Sequence, residues 1–365
     1  MAATASDATP IPVTVLTGFL GAGKTTLLAR LLGQPHGLRI AVIENEFGPE
    51  SIDSDLLVQS AGEQIVEMNN GCVCCTVRGD LQRILGELIA QKDSGQLRFD
   101  RVVIETTGMA NPGPVAQTFF MDEAIAARYR LDAIITVVDA KHGHATLDAQ
   151  PEAQAQVGFA DRILMSKTDL VSEEEASSLR QRLLRMNPRA SIQAAHMGEV
   201  PVKEILDISG FNLDAALNID PQFLAQQAAK DTPTAAHTHS CDHTHGEHCD
   251  HPSHTHDQGA HPHDDAISAF VYESKRPFDA AKLEYTLGVL TQVYGQDMLR
   301  YKGVLFVKGS ARRLIFQGVH MMMGADSGRP WARGETPSSK MVFIGRALPR
   351  SVICKSLDSC LAGAS

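Results

Sequence analysis

The chain lacks any surplus of positive charge: 33 Lys and Arg stand against 43 Asp and Glu in 365 residues, for a formal net charge of -10. That balance offers no electrostatic footprint for a phosphate backbone and excludes nucleic acid as a partner class, whereas a cation is a natural partner. A secretory signal is lacking too. The opening MAATASDATPIP has neither a basic n-region nor an apolar h-region, and no later apolar run approaches the roughly 20 residues that span a bilayer. The expectation is a cytoplasmic protein with no membrane partner. Cysteine is scarce, with seven in all, yet Cys72, Cys74 and Cys75 fall within four positions. In a reducing compartment such clustering serves metal binding or redox chemistry more often than structural bridges. What is present, 43% hydrophobic and 21% charged residues, describes a globular chain long enough for two domains.

From Ile11 onward, short β-branched runs alternate with longer helical patterns: VTVLTG, TTLLARLLG, RIAVIENEFG, RVVIETTG, AIITVVDA and RILMSKTDL. This βαβα alternation implies an α/β fold, a parallel sheet with helices on both faces and active loops at the carboxyl ends of the strands. SEEEASSLRQRLLRMNP reads as an exposed helix with Ser172 and Glu175 spaced as a capping box and Pro188 beyond its end. Residues 237–263 hold ten of the fifteen histidines and no apolar anchor, which reads as a loop or linker. Beyond it, AISAFVYES, GVLFV, RRLIFQGV and MVFIG read as strands. Between them lies a helix with Leu283, Leu287 and Leu290 on one face, started by Asp279 and ended by Gly295. The expected organisation is a disordered N-terminus (1–10), a first α/β domain (11–215), a linker (216–266) carrying the His-rich loop, a smaller C-terminal mixed αβ domain (267–350) and a tail (351–365). No pattern in the sequence fixes an oligomeric state.

Residues 18–25, GFLGAGKT, match G-x-x-x-x-G-K-[ST] between a predicted strand and a predicted helix, the setting the motif requires. Gly18, Gly21, Ala22 and Gly23 let backbone N–H groups wrap the phosphates, and Thr26 continues the turn. Lys24 reaches the β and γ phosphates and the Thr25 hydroxyl ligates Mg²⁺. Glu105, closing the apolar run RVVIE, is placed to hold a Mg²⁺-bound water or to orient the attacking water. Ser166, Lys167 and Asp169 resemble the N/T-K-x-D element that reads guanine, with serine in place of the usual asparagine. The lysine stem lies over the base and the aspartate accepts from donors that adenine does not offer, so GTP is favoured over ATP.

Three readings are open for the cysteine segment NNGCVCCTV. A disulfide between cysteines so near in sequence is strained. A closed structural zinc site takes four ligands, and no second C-x-x-C lies nearby. An exchangeable site takes two or three thiolates plus a carboxylate or water, which Glu44 or Glu50 in the neighbouring ENEFGPESID can supply. This last reading fits best, with Zn²⁺ favoured and Co²⁺ compatible. Both segments lie between the P-loop and Glu105, where P-loop proteins keep the parts that sense the γ-phosphate.

Taken together, GFLGAGKTTLL, ENEFG, NNGCVCCTV, ETTG, KTD and the C-terminal pattern YKGVLFV…IFQGVH…PW…MVFIGR resemble the CobW-type metal-binding P-loop GTPases, including their zinc-related subgroup. The resemblance spans residues 13–348. It implies a GTPase domain, a C-terminal αβ domain and delivery of Zn²⁺ or Co²⁺ to a client metalloprotein. By the same resemblance Cys72, Cys74 and Cys75 are the metal cysteines, with Glu44 and Glu50 as accompanying carboxylates.

The H-x-H steps of the His-rich stretch, beginning with His237, His239, His243 and His245, offer interchangeable imidazoles for multi-site, pH-dependent metal binding. His320, alone after an apolar run, is expected to pack rather than ligate. The favoured function is a GTP-hydrolysing metallochaperone with slow intrinsic turnover, since no obvious glutamine or arginine finger is present in cis. Two competitors are a zinc store working through the His-rich loop and an ATP-dependent kinase or metal-insertion subunit.

Overall fold

The computed structural model describes residues 9–44, 64–67, 77–196, 198–211, 219–231 and 265–363. The first part of the chain runs β1 (Ile11–Gly18), α1 (Lys24–Leu32), β2 (Ile40–Glu44), β3 (Gln64–Glu67), α2 (Val77–Asp93), β4 (Arg101–Glu105), α3 (Pro112–Met121), α4 (Glu123–Arg128), β5 (Tyr129–Asp139), α5 (Gly143–Ala149), α6 (Pro151–Phe159), β6 (Arg162–Ser166), α7 (Glu173–Met186) and β7 (Ser191–Ala195). The seven strands form one sheet in the order β3-β2-β4-β1-β5-β6-β7, and every pairing is parallel. Val13 and Val15 on one side of β1 and Thr14 and Leu16 on the other are all at most 2% exposed. A strand buried on both faces needs cover on both, which the crossover helices of a parallel sheet supply. β1, the strand that ends in the P-loop, lies at the centre between β4 and β5.

Local signals in the sequence act as expected in the helices. Ser172 and Glu175 form a reciprocal capping box at the start of α7. That arrangement satisfies two otherwise orphaned backbone donors.

The second part comprises α8 (Pro221–Asp231), β8 (Ile267–Ser274), α9 (Ala280–Tyr294), β9 (Met298–Leu305), β10 (Arg312–Val319), β11 (Met322–Pro330), β12 (Ser339–Arg346) and α10 (Arg350–Ser359). Its strands build an antiparallel sheet in the order β11-β10-β9-β12-β8. Alternation splits this sheet between two cores. Phe270, Tyr301, Phe316 and Phe343 join Leu283, Leu287 and Leu290 of α9 and Ile353 and Leu357 of α10. Ile267, Val271, Leu299, Val342 and Ile344 join the core of the parallel domain.

Helix α6 is the shared wall between the two sheets; Ala153, Val157 and Phe159 on it are fully buried. Arg300 of β9 is 2% exposed. It pairs with Asp161 at 2.7 Å, donates to the Phe159 and Gly210 carbonyls, and lies 3.7 Å over the Phe211 ring. Asp161 also lies 3.5 Å from Arg189, so removing this carboxylate leaves two buried cations without it, at a cost on the order of 3–5 kcal/mol.

Two stretches depart from the sequence expectation. The supposed tail, 351–365, is largely helix α10, whose Ile353 and Leu357 are fully buried; its apolar spacing completes the second core. The supposed linker, 216–266, contains α8, where Gln227 exchanges both amide hydrogen bonds with the backbone of Val271 and Phe223 is buried. The expected N-terminal segment 1–10 lies outside the described residues up to residue 8, as does the His-rich stretch 237–263. Among the described residues, no helix is long and apolar enough to cross a membrane.

Candidate functional site

The P-loop follows β1 directly. Gly18 has φ 145°, and a Cβ there would lie 2.2 Å from the Val137 carbonyl oxygen. Only glycine lets β1 turn away this close to β5. Phe19 N–H donates to that same carbonyl at 3.0 Å. Beyond Gly21, Ala22 and Gly23 the chain enters α1 at Lys24, with Thr25 half-buried and Thr26 exposed in the first turn. Lys24 Nζ donates to the Gly18 and Phe19 carbonyls, each at 3.2 Å. Burial pulls its pKa below the usual lysine value, and Glu105 works against that shift.

The second wall comes from β4, whose register sets Glu105 beside Leu16 of β1. Thr25 Oγ1 donates to Glu105 Oε1 at 2.9 Å, and the Thr106 hydroxyl donates to that of Thr17 at 2.8 Å. Past Glu105 the chain touches the P-loop again. A Cβ on Gly108 would lie 2.5 Å from Leu20 Cα, so the backbones are in direct apposition. Gln156 of α6, fully buried, donates to the Gly108 and Ala110 carbonyls at 3.1 and 3.0 Å. The helix that carries the C-terminal sheet thus also holds the loop that follows Glu105.

The third wall is the end of β6. Ser166 Oγ donates to the Ala22 carbonyl of the P-loop at 2.7 Å and to the Val138 carbonyl at 3.3 Å. The serine in place of the usual asparagine therefore ties the base motif to the phosphate loop. Lys167 adopts a left-handed conformation, φ 55°, and Asp169, half-exposed, lies 3.8 Å from His196 Nδ1 at the end of β7.

Of the metal candidates, Glu44 is described: it ends β2, buried, paired in register with Glu105 of β4 and Glu67 of β3. Cys72, Cys74, Cys75 and Glu50 lie outside the described residues, as do His237, His239, His243 and His245. The described chain nonetheless brackets the cysteine segment. β3 ends at Glu67, five residues before Cys72, and α2 begins at Val77, two residues after Cys75. His320 packs, as expected, against Phe159 with ring centroids 5.2 Å apart; its Nδ1 lies 3.1 Å from the Gln296 carbonyl.

A parallel sheet with a P-loop on its central strand, an acid beside the P-loop threonine and a K-T-D loop two strands away defines the class of P-loop GTPases. Within it, residues 12–194 match the family "CobW/HypB/UreG, nucleotide-binding domain", and residues 267–361 match "Cobalamin synthesis protein cobW C-terminal domain". The chain belongs to the CobW family of P-loop GTPases.

It is 40% identical over 347 residues to the zinc chaperone YjiA of Escherichia coli, covering 94% of this chain and 96% of that one. It is 33% identical over 383 residues to the zinc chaperone CobW of Pseudomonas aeruginosa, covering 96% and 92%. The crystal structure of Zn(II)-bound YjiA GTPase from E. coli superposes with a TM-score of 0.73 at 34% identity, covering 97% of this chain and all of that one.

Two residues of the site carry no role in the sequence reading. Asp139 closes the apolar run AIITVVD just as Glu105 closes RVVIE, so the same signal, an acid at the end of an apolar strand, marks it. Gln156 gave no signal: a glutamine in a helical pattern looks like a solvated position until the second sheet covers it.

Proposed function

We propose that this protein is a GTP-hydrolysing metallochaperone that holds Zn²⁺, or Co²⁺ in the same geometry, at Cys72, Cys74 and Cys75 and delivers it to a client metalloprotein under nucleotide control. The observation that carries the reading is the position of the cysteine segment. In the sequence it falls between the end of β3 and the start of α2, and β3 pairs with β2, whose last residue, Glu44, lies in register with Glu105, which in turn accepts from Thr25. A metal seat there adjoins the groups that meet phosphate. Relatives named as zinc chaperones, aligned over nearly the whole chain, support the choice of cargo.

Lys24 and the P-loop amides hold the β and γ phosphates, while Lys167 and Asp169 select guanine. Thr25 and Glu105 together present two hard oxygen donors, a set that suits Mg²⁺. Bound there, the ion supplies charge neutralisation on the phosphate oxygens. Glu105 orients the attacking water. Glu44 and Glu50 complete the thiolate site when the nucleotide orders their segments, and hydrolysis loosens it. The histidines of 237–263, beginning with His237, His239, His243 and His245, bind further ions at several equivalent positions.

Binding coupling is reciprocal: GTP changes Zn²⁺ affinity by the same factor by which Zn²⁺ changes GTP affinity. The test is a Zn²⁺ titration of the GTP-bound and GDP-bound protein, repeated with Cys74→Ser. Tighter binding with GTP that disappears in the variant is the expected outcome. Identical affinities in the two nucleotide states would refute the mechanism.

A further inference from the structure

The carboxylate of Asp139 stands at the meeting point of the phosphate loop and the base loop. β5, which it ends, lies between β1 and β6, and its register partner is Ser166. Ala140 N–H donates to the Ser166 carbonyl at 2.9 Å, so the two strand ends are locked together. The side chain is 5% exposed, and both of its oxygens are engaged. Oδ1 accepts from the Lys141 and His142 amides at 2.8 and 3.2 Å, which fixes the carboxylate plane. Oδ2 accepts from Lys167 Nζ at 2.7 Å, and His142 Nδ1 lies 3.2 Å away. Burial opposes ionisation of this carboxyl, but the hydrogen bonds from Lys167 and His142 outweigh it and hold the carboxyl below the usual range.

Lys167 itself sits in a left-handed conformation that costs a non-glycine residue energy and persists only when its surroundings impose it. Its long stem would otherwise be free. Fixing a lysine side chain costs rotamer entropy, and a clamp already present in the folded protein removes that cost from ligand binding.

We propose that Asp139 is the positioning residue for guanine-nucleotide binding: by clamping Lys167 Nζ from below, it presents the lysine stem as a preformed shelf for the purine. The proposal rests on the reading of Lys167 and Asp169 as the base-recognition pair. It divides their labour. The shelf supports any purine face and sets affinity, whereas Asp169 tells guanine from adenine. His142 braces the clamp from the solvent side.

The experiment measures dissociation constants for GDP and ADP, together with steady-state GTP hydrolysis, in the full-length protein and in Asp139→Asn, Lys167→Met, their double variant and Asp169→Ala. Asp139→Asn keeps an oxygen for the Lys141 and His142 amides and loses the charge that grips Lys167. It should weaken both GDP and ADP about tenfold, raise KM for GTP by a similar factor and leave kcat within about twofold. Lys167→Met should do the same. The double variant should be no worse than either single one, a non-additivity that general loosening of the fold would not produce.

Asp169→Ala should instead collapse the GDP over ADP preference. If Asp169→Ala shifts that preference while Asp139→Asn leaves the GDP affinity unchanged, or if the two clamp substitutions add fully, the positioning role is overturned and base recognition stands. If Asp169→Ala leaves the preference intact, the underlying reading fails. Should Asp139→Asn fold poorly, Asp139→Ser carries the same test.

Discussion

The loop that follows Glu105 is held from behind by one buried amide, and replacing that amide tests whether α6 connects the nucleotide site to the rest of the molecule. In Gln156→Leu, the Gly108 and Ala110 carbonyls lose the donors that now lie 3.1 and 3.0 Å away. Leaving a buried acceptor unsatisfied costs about 1–3 kcal/mol, and the Ala110 contact is only partly buried. Against this, the substitution removes Gln156 Oε1, itself buried with no hydrogen-bond partner among the described residues, which returns about 1 kcal/mol.

The net loss is on the order of 2 kcal/mol, about 4–8 °C in Tm for a domain of this size. The same loop abuts the P-loop at Leu20, so single-turnover GTP hydrolysis should fall about tenfold as Glu105 loses its support. Gln156→Glu, which turns an acceptor toward both carbonyls, should be worse on both counts. Urea denaturation followed by circular dichroism gives the first number and phosphate release the second. A stability change under about 0.5 kcal/mol with unaltered hydrolysis would refute the argument, because substitutions that disturb no buried feature give values of that size.

Two further outcomes follow from the geometry. Burial depresses the His320 pKa below its free value of 6.5, so the unfolded chain takes up this proton first. Its contribution is intact above pH 6.5 and is lost as pH falls through the folded-state value. His320→Asn, which tolerates the φ of 51°, should flatten the loss of stability between pH 7 and pH 5 in urea titrations; parallel slopes in variant and parent would place the acid sensitivity elsewhere. Gly108→Ala would set a Cβ 2.5 Å from Leu20 Cα and 2.8 Å from Leu20 N. Because these are backbone atoms the P-loop must shift, and GTP affinity should drop about tenfold or more in a fluorescent-nucleotide titration; parent-like affinity would show that the two loops part freely.

The readable parts of the sequence were those in which chemistry and spacing are local. The capping box of α7, the Leu283, Leu287 and Leu290 face of α9 and the glycines of the P-loop each follow from residues a few positions apart. β11 was not legible: MMGADSGRP shows no alternation, and most of it is exposed at a sheet edge. It pairs with β10 through backbone hydrogen bonds that leave no mark in side-chain type. In the sequence α8 and α10 read as linker and tail because their short apolar patterns gain meaning only from the sheet they cover.

The sequence by itself determined that a phosphate-binding loop, a terminal strand acid and a guanine-type motif would lie at one edge of a parallel sheet, because strand-loop-helix alternation always delivers such loops to the carboxyl ends. Tertiary structure decided which groups meet there. Lys167 and Asp139 are 28 residues apart, Ser166 and Ala22 are 144 apart, and Arg300 and Phe159 are 141 apart. Each pair is joined only by the strand order or by the second sheet resting on α6. Strand order is settled by how all the apolar faces are buried at once, and no local pattern of residues contains that sum.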